Sequence, residues 1–313
     1  MAVNTHPSAM VVYDEQARTG YLEALQTNVN LFNEASAGCI LLDAQKILGN
    51  FKTDTIFHVD VSARWRDVES DAKVGTTGIY MSETVGVKLP WTLEPKKTTD
   101  EALDRLGYTR EVFSFLMGQK TAEAISTYYV NHALKALLAS SQGSGMVVKG
   151  NIKEERQVAL NKAIRKYGDK GGRVKLFVMN SNAYNDLVDT EIQKVVYQSE
   201  DVVIRGGSPA TLGRNVLVTD ACPDDKVFSL VPGAIKITES SVPKFIFYDD
   251  NESENLGFVY RGEGNFNLEL LGYSYDKAQG ENPKIDVIAS TAAWKKVVDS
   301  DKLLGGCVID LAA

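Results

Sequence analysis

The side chains suited to proton transfer or metal binding are few and scattered. The three histidines, His6, His58 and His132, lie far apart. No His-x-x-x-His or Cys-x-x-Cys spacing exists to start a tetrahedral zinc site. His132 has the chemistry of a general base, but it falls in a long helical pattern, where a histidine is more often a packing or surface residue. Gly206-Gly207-Ser208-Pro209 lacks the Gly-x-x-x-x-Gly-Lys-Ser/Thr spacing that cradles phosphate, so it reads as a turn. The acidic run from Asp249 to Glu254 invites calcium. An EF-hand loop starting at Asp249 would need Gly at its sixth position and Glu at its twelfth, and these hold Glu254 and Tyr260. A solvated acidic turn with at most weak cation binding is the reading. Asp14/Glu15 and Asp224/Asp225 are adjacent carboxylates, a spacing that does not aim two groups across one substrate. No Gly-x-Ser-x-Gly elbow offers a serine nucleophile. Lys153, Lys162, Arg165 and Lys166 recur at helical spacing, as a contact for a polyanion or as a solvated face. The expectation is no catalytic, cofactor-binding or metal site, and no enzyme.

Composition narrows the class further. The chain has 313 residues, 44% hydrophobic and 24% charged, which is ordinary for a globular protein with a sizeable core. A formal net charge of −7 argues against tight, charge-driven nucleic-acid binding. Cys39, Cys222 and Cys307 are odd in number and widely spaced, which points to a reducing compartment rather than a disulfide framework. No apolar run approaches a membrane span of about eighteen residues. The N-terminus has no basic region followed by an apolar stretch and is not expected to be a secretion signal. With Met1 in place, no removed pro-segment is expected.

The elements are more telling than the side chains. Thr109 to Ser140 reads as one helix of about thirty residues, well above the usual 11–12. It has no proline and one glycine, Gly118. Val112, Leu116, Ala122, Ile125, Tyr129, Ala133 and Leu137 form an apolar stripe assigned to the domain's own sheet. Ahead of it, Thr55, Phe57, Val59, Val61, Ala63 and Trp65 alternate with polar residues, and Val85, Val87, Leu89, Trp91 and Leu93 repeat the rhythm. With the polar, Gly-bearing stretch between them, these runs predict a long antiparallel hairpin. Asp14 to Gln26 reads as a helix with Ala17, Tyr21, Leu22 and Leu25 on one face, followed by an apolar patch at Ile40–Leu42, Ile47 and Leu48. Thr98 and Glu101 match a capping box for a short helix stopped by Gly107.

Downstream, a helix is expected over Lys153–Tyr167 and a buried strand over Val174–Met179. Asn180-Ser181-Asn182 then serves as the cap for a helix from Ala183 to Asp189. Strands follow at Val216–Thr219, Val227–Val231 and Ala234–Ile237, and hairpins from Phe245 to Leu270. A short helix is expected at Ser290–Asp299, and a last strand at Cys307–Ile309. The mixture is α+β.

This order of elements resembles the major capsid proteins of tailed bacteriophages, the Hong Kong 97-type shell fold. Leu176 to Leu187 (LFVMNSNAYNDL) is similar to that family's strand, polar cap and helix. Thr211 to Asp220 (TLGRNVLVTD) is similar to its turn into an apolar strand, followed by an acidic turn and Val227–Leu230. The resemblance implies an α+β chain with an N-terminal arm (1–50), an extended β-hairpin loop (51–93) and a peripheral domain with the spine helix (94–145). It also implies an axial domain (146–240), then returning strands and a C-terminal segment (241–313).

The function it implies is a structural coat protein of the virion, assembling in the host cytoplasm into an icosahedral head around double-stranded DNA. The alternative is an encapsulin-type compartment around cargo enzymes. The implied partners are copies of the chain in pentamers and hexamers, a portal, a possible decoration protein and non-specifically contacted DNA. No helical scaffolding segment precedes the arm, so a separate scaffolding protein is expected. Lys73 and Lys88 lie in the loop, but nothing selects either one, or an Asn partner, for a Lys–Asn cross-link. Trp65 and Trp91 are the candidate inter-subunit contacts, since Trp is enriched at interface centres. Packing within or under their own hairpin is the other reading. The interface reading predicts that Trp91→Ala impairs particle formation more than folding.

Overall fold

The computed structural model describes residues 8–45, 47–58, 68–69, 80–155, 157–188, 195–199, 202–250 and 256–311. In chain order these form α1 (Ser8–Ala35), β1 (Ile40–Ala44), β2 (Phe51–His58), β3 (Tyr80–Thr92), β4 (Lys96–Thr99), α2 (Asp100–Leu106), α3 (Arg110–Gly143) and β5 (Val147–Lys149). Then come α4 (Ile152–Glu155), α5 (Gln157–Lys166), β6 (Leu176–Met179), α6 (Ser181–Leu187), β7 (Val195–Gln198), β8 (Val203–Arg205), β9 (Asn215–Val218) and β10 (Lys226–Leu230). The chain closes with β11 (Ile235–Glu239), β12 (Lys244–Asp250), β13 (Gly257–Leu270), β14 (Tyr273–Tyr275), α7 (Ile285–Ile288), β15 (Trp294–Lys296) and β16 (Gly306–Asp310).

Two seven-stranded sheets carry the chain. The first runs β1-β11-β13-β3-β2, with β12 and β4 also on β13; the second runs β5-β16-β10-β6-β9-β8-β7. The 14-residue β13 organises the first sheet, because it pairs antiparallel with β11, β3, β12 and β4 along its length. Its inward aromatic residues meet α3. Phe266 stacks on Tyr129 of α3 at 4.3 Å between ring centroids, and the Tyr260 hydroxyl bonds Thr121 Oγ1 at 3.0 Å. On the adjacent β12, Phe245 packs on Tyr21 of α1 at 5.4 Å. Helices α1 and α3 therefore share one face of the sheet.

Helix α3 spans about 50 Å at 1.5 Å per residue, and it links both sheets. Its start is set by Thr109, whose hydroxyl accepts from the Val112 amide. Ala122, Ile125, Tyr129, Ala133 and Leu137 are buried as the stripe requires, whereas Val112 is 46% exposed. Near the far end Leu137 lies against Gly306 of β16, where an added β-carbon would come within 2.9 Å. The stripe thus serves the first sheet and then the second.

Several boundaries differ from the sequence expectation. Thr98 pairs with Phe258 in β4, so the cap of α2 moves to Thr99, whose Oγ1 accepts from Ala102 at 3.2 Å. Gly107 ends α2 in the left-handed region, as expected. The helix expected at Ser290–Asp299 is a one-turn 3-10 segment at Thr291–Ala293 followed by β15. Trp294 decides this: its ring packs on Tyr275 at 5.7 Å and its Nε1 donates to the Ile288 carbonyl at 2.9 Å. Leu22 and Leu48 are exposed rather than buried.

A boundary at 240 also does not separate the sheets. β11 belongs to the first sheet, where it pairs with β1 and β13, and the late strand β16 belongs to the second, where it pairs with β10 and β5. The chain crosses between them at Pro232-Gly233, where Gly233 has φ +73 and its amide donates to the Gly38 carbonyl. The N-terminal segment is no loose arm over 8–35, because Ala17 and Tyr21 are fully buried against the body.

Candidate assembly surface

The side chains that could have done chemistry are placed apart. His132 is buried, and its Nδ1 donates to the Tyr128 carbonyl at 2.6 Å, because a carbonyl can only accept. Burial lowers its pKa, the Tyr128 carbonyl opposes this and Lys135 adds to it. Its Nε2 has no hydrogen-bond partner among the described residues. His6 lies outside the described residues, and His58 sits in β2. Burial pushes the Cys39, Cys222 and Cys307 thiols up to about 12, so none is a ready nucleophile.

Asp14 accepts from the Phe247 amide, while Asp225 pairs with Lys226 at 2.6 Å. Of the acidic run, Asp249 pairs with Arg110 and Asp250 with Lys97, while 251–255 lie outside the described residues. No cluster of three His, Cys, Asp or Glu able to hold a metal occurs among the described residues. No described helix is long and apolar enough to cross a membrane. In the basic stripe, Lys162 is bound to Glu155 at 2.7 Å, while Lys153, Arg165 and Lys166 are exposed. Gly206–Pro209 is part of a tight turn, closed by the Gly213 amide donating to the Ser208 carbonyl at 2.7 Å.

The extended hairpin has a rooted half and a free half. From Val87 to Thr92, β3 pairs with β13 and is part of the sheet. From Val87 back to Tyr80 its strand partner is β2, in register down to His58 opposite Tyr80. Beyond the buried Val85, five residues of strand, Tyr80 to Thr84, run on for roughly 17 Å at about 3.3 Å each. β2 is the edge of the first sheet, so one row of its backbone groups lacks a strand partner among the described residues. The root is tied down by the Val85 amide donating to Ser274 Oγ at 3.0 Å and by the Lys277–Glu83 ion pair at 3.5 Å. Lys52 bonds Glu269 at 2.9 Å beneath the hairpin.

Trp91 lies at the root, not on the surface. It is 7% exposed, its Nε1 donates to the Tyr129 hydroxyl at 2.9 Å, and its ring covers Gly264, where a β-carbon would fall 2.4 Å from the indole. The ring is buried by its own subunit and its N–H is satisfied there. Within the subunit Trp91 packs under its own hairpin, the other of the two readings its position offers. Trp65 and Lys73 lie outside the described residues.

Sequence reasoning missed two features. Gly118, visible as the one glycine of the long helix, is where α1 meets α3. Glu239, a buried carboxylate beside Tyr21, gave no signal, since nothing in a sequence marks a strand-end glutamate as buried.

A projecting hairpin rooted in a sheet, a spine helix along that sheet and a second mixed sheet define a shell-forming subunit of the phage capsid type. A solved chain of Mycobacterium phage Cain is similar at TM-score 0.54 and 10% identity, covering 89% of this chain and 91% of that one. One of Mycobacterium phage Bobi is similar at TM-score 0.50 and 10% identity, covering 88% and 89%. The capsid structure of the cyanophage P-SCSP1u matches at TM-score 0.49 and 12% identity, covering 75% and 84%. No curated protein matches the sequence. The Gp13-like family, described as "Major capsid protein 13-like", matches residues 9–308, and the chain belongs to it. It is a structural coat protein that associates with itself in the virion shell, and the cargo-enzyme compartment is not favoured.

Proposed function

We propose that the subunit closes into pentamers and hexamers that tile an icosahedral head around double-stranded DNA. The observation that carries this reading is the outer part of the β2–β3 hairpin beyond Val85, whose open edge and roughly 17 Å of strand suit contact with a neighbour. Closed rings need complementary patches of this kind on every copy. In this reading 51–93 is the extended loop, 94–145 together with the returning strands of 241–313 the peripheral part, and 146–240 the axial part, except that β11 joins the peripheral sheet and β16 the axial one. Trp65, on the loop, is the remaining candidate contact. The net charge of −7 supports weak, non-specific contact with DNA, which leaves the genome free to exit.

The shell works without catalysis. Assembly takes place in the host cytoplasm with a separate scaffolding protein and a portal, and a decoration protein is a further partner of the outer surface. Electron microscopy of the chain, expressed with and without its neighbouring phage genes, tests the reading. Icosahedral shells are expected in at least one of the two. Uniform small oligomers in both would reject it.

A further inference from the structure

The helix α1 is seated on α3 through bare backbone. A β-carbon at Gly118 would lie 2.0 Å from the Ala17 carbonyl oxygen, and one at Gly20 would lie 2.3 Å from that of Phe115. Beside this contact, the Tyr21 hydroxyl donates to Glu239 Oε1 at 2.5 Å. Glu239 ends β11 and is 6% exposed. Three elements therefore meet at one carboxyl group: α1 through Tyr21, the sheet through Glu239, and α3 through Tyr129, which interacts with both. Trp91 in turn donates to Tyr129.

Among the described residues no cation balances this site; Lys46, which follows β1, lies outside them. From α1 the facing titratable group is Tyr21, with Arg18 and Glu23 exposed and Asp14 engaged further along by the Phe247 amide. From α3 it is Tyr129, beside Ser126. From β1 it is the exposed Asp43, whose carboxylate accepts from the Ala44 amide, and from β13 the residue opposite Glu239 is Phe266. Lys236 lies on the other face of the sheet by strand alternation, in the cluster of Lys52, Asp54 and Glu269. Water reaches the site by a groove of about 460 Å³ between α1, β1 and α3, lined by Leu22, Gln26, Asn30 and Asp43, with Glu239 and Tyr129 in its wall. Proton exchange is thus open while the carboxyl stays buried.

We propose that Glu239 is a protonation-dependent latch that sets how firmly the N-terminal helix stays seated on the spine helix. Burial pushes its pKa from 4.5 up to about 7, against the pull of the Tyr21 and Tyr129 hydroxyls towards the ionised form. With α1 lifted away, the group faces water and returns towards the ordinary carboxylate value. The docked state thus holds the proton more tightly. The latch is fully closed below the ordinary carboxylate range and weakens as the pH climbs through 7.

Hydrogen–deuterium exchange on the full-length chain, corrected for intrinsic rates, tests the proposal. From pH 5.5 to 8.0 the amides of Ala17 to Leu25 should lose about tenfold or more of their protection relative to those of β6 and β10, from linkage with the shifted group. Glu239→Gln should abolish that pH dependence. Tyr21→Phe, which removes a bond favouring the ionised form, should enlarge it. Identical pH dependence in Glu239→Gln and the parent would overturn the proposal. So would an unaltered slope in Tyr21→Phe, which serves if the glutamine variant does not fold.

Discussion

Gly118 of the spine helix touches the carbonyl of Ala17 so closely that a β-carbon there would stand 2.0 Å from the oxygen. Alanine normally gains about 1 kcal/mol over glycine inside a helix. Here the clash is with backbone, which cannot rotate away, so Gly118→Ala should destabilise by about 1–3 kcal/mol, as overpacking does. Gly143 is the control. An added β-carbon meets Thr291 at an ordinary 3.5 Å, so Gly143→Ala should be neutral or mildly stabilising. Urea unfolding of both variants separates the two effects by sign.

Trp91→Ala should fail at folding before it fails at assembly. Removing a buried tryptophan costs about 3–5 kcal/mol, and the change also strips the Tyr129 hydroxyl of its donor. Gly264→Ala should do comparable harm by a different route, because its new methyl would strike the indole. The order of loss, soluble folded subunit first and particles second, is the reverse of what an interface anchor gives. Circular dichroism melts alongside particle yield report it.

The three cysteines should be silent towards a thiol reagent at pH 8. Each is buried, and burial pushes each thiol up to about 12, so the thiolate fraction is small and access is blocked. Native protein should react slowly with Ellman's reagent, and denatured protein should release all three equivalents at once. A fast native phase would show a thiol exposed by opening of the second sheet or of the turn at Cys39.

The elements were legible where local chemistry fixes them. The spine helix announces itself by its length and stripe, α6 by the Asn180 cap, and the hairpin by alternation. What failed was decided at a distance. Thr98 and Thr99 look alike as caps until β13 claims Thr98. Ser290–Asp299 has helical spacing, yet Trp294 finds a better partner in Tyr275. For Trp91 alternation gives a face and not what covers it within the subunit; Gly264, far along the chain, supplies the space that buries it. Ile235–Glu239 and Gly306–Asp310 are plain strands whose sheet cannot be read from their residues.

The hairpin permits a clean separation of folding from assembly. His58 and Tyr80 are directly paired across β2 and β3. Replacing residues 59–79 with Asn-Gly would therefore close the ladder with a two-residue turn suited to the twist of such a pair. The root should not notice, since β3 pairs with β13 only from Val87 to Thr92 and Trp91 stays on Gly264. The shortened chain should melt within a few degrees of the parent, yet form few or no shells by electron microscopy, because the segment proposed to reach the neighbour is gone. A folded, shortened chain that still yields normal shells would move the assembly contacts elsewhere, to the exposed face of α1 or to the rim of the second sheet.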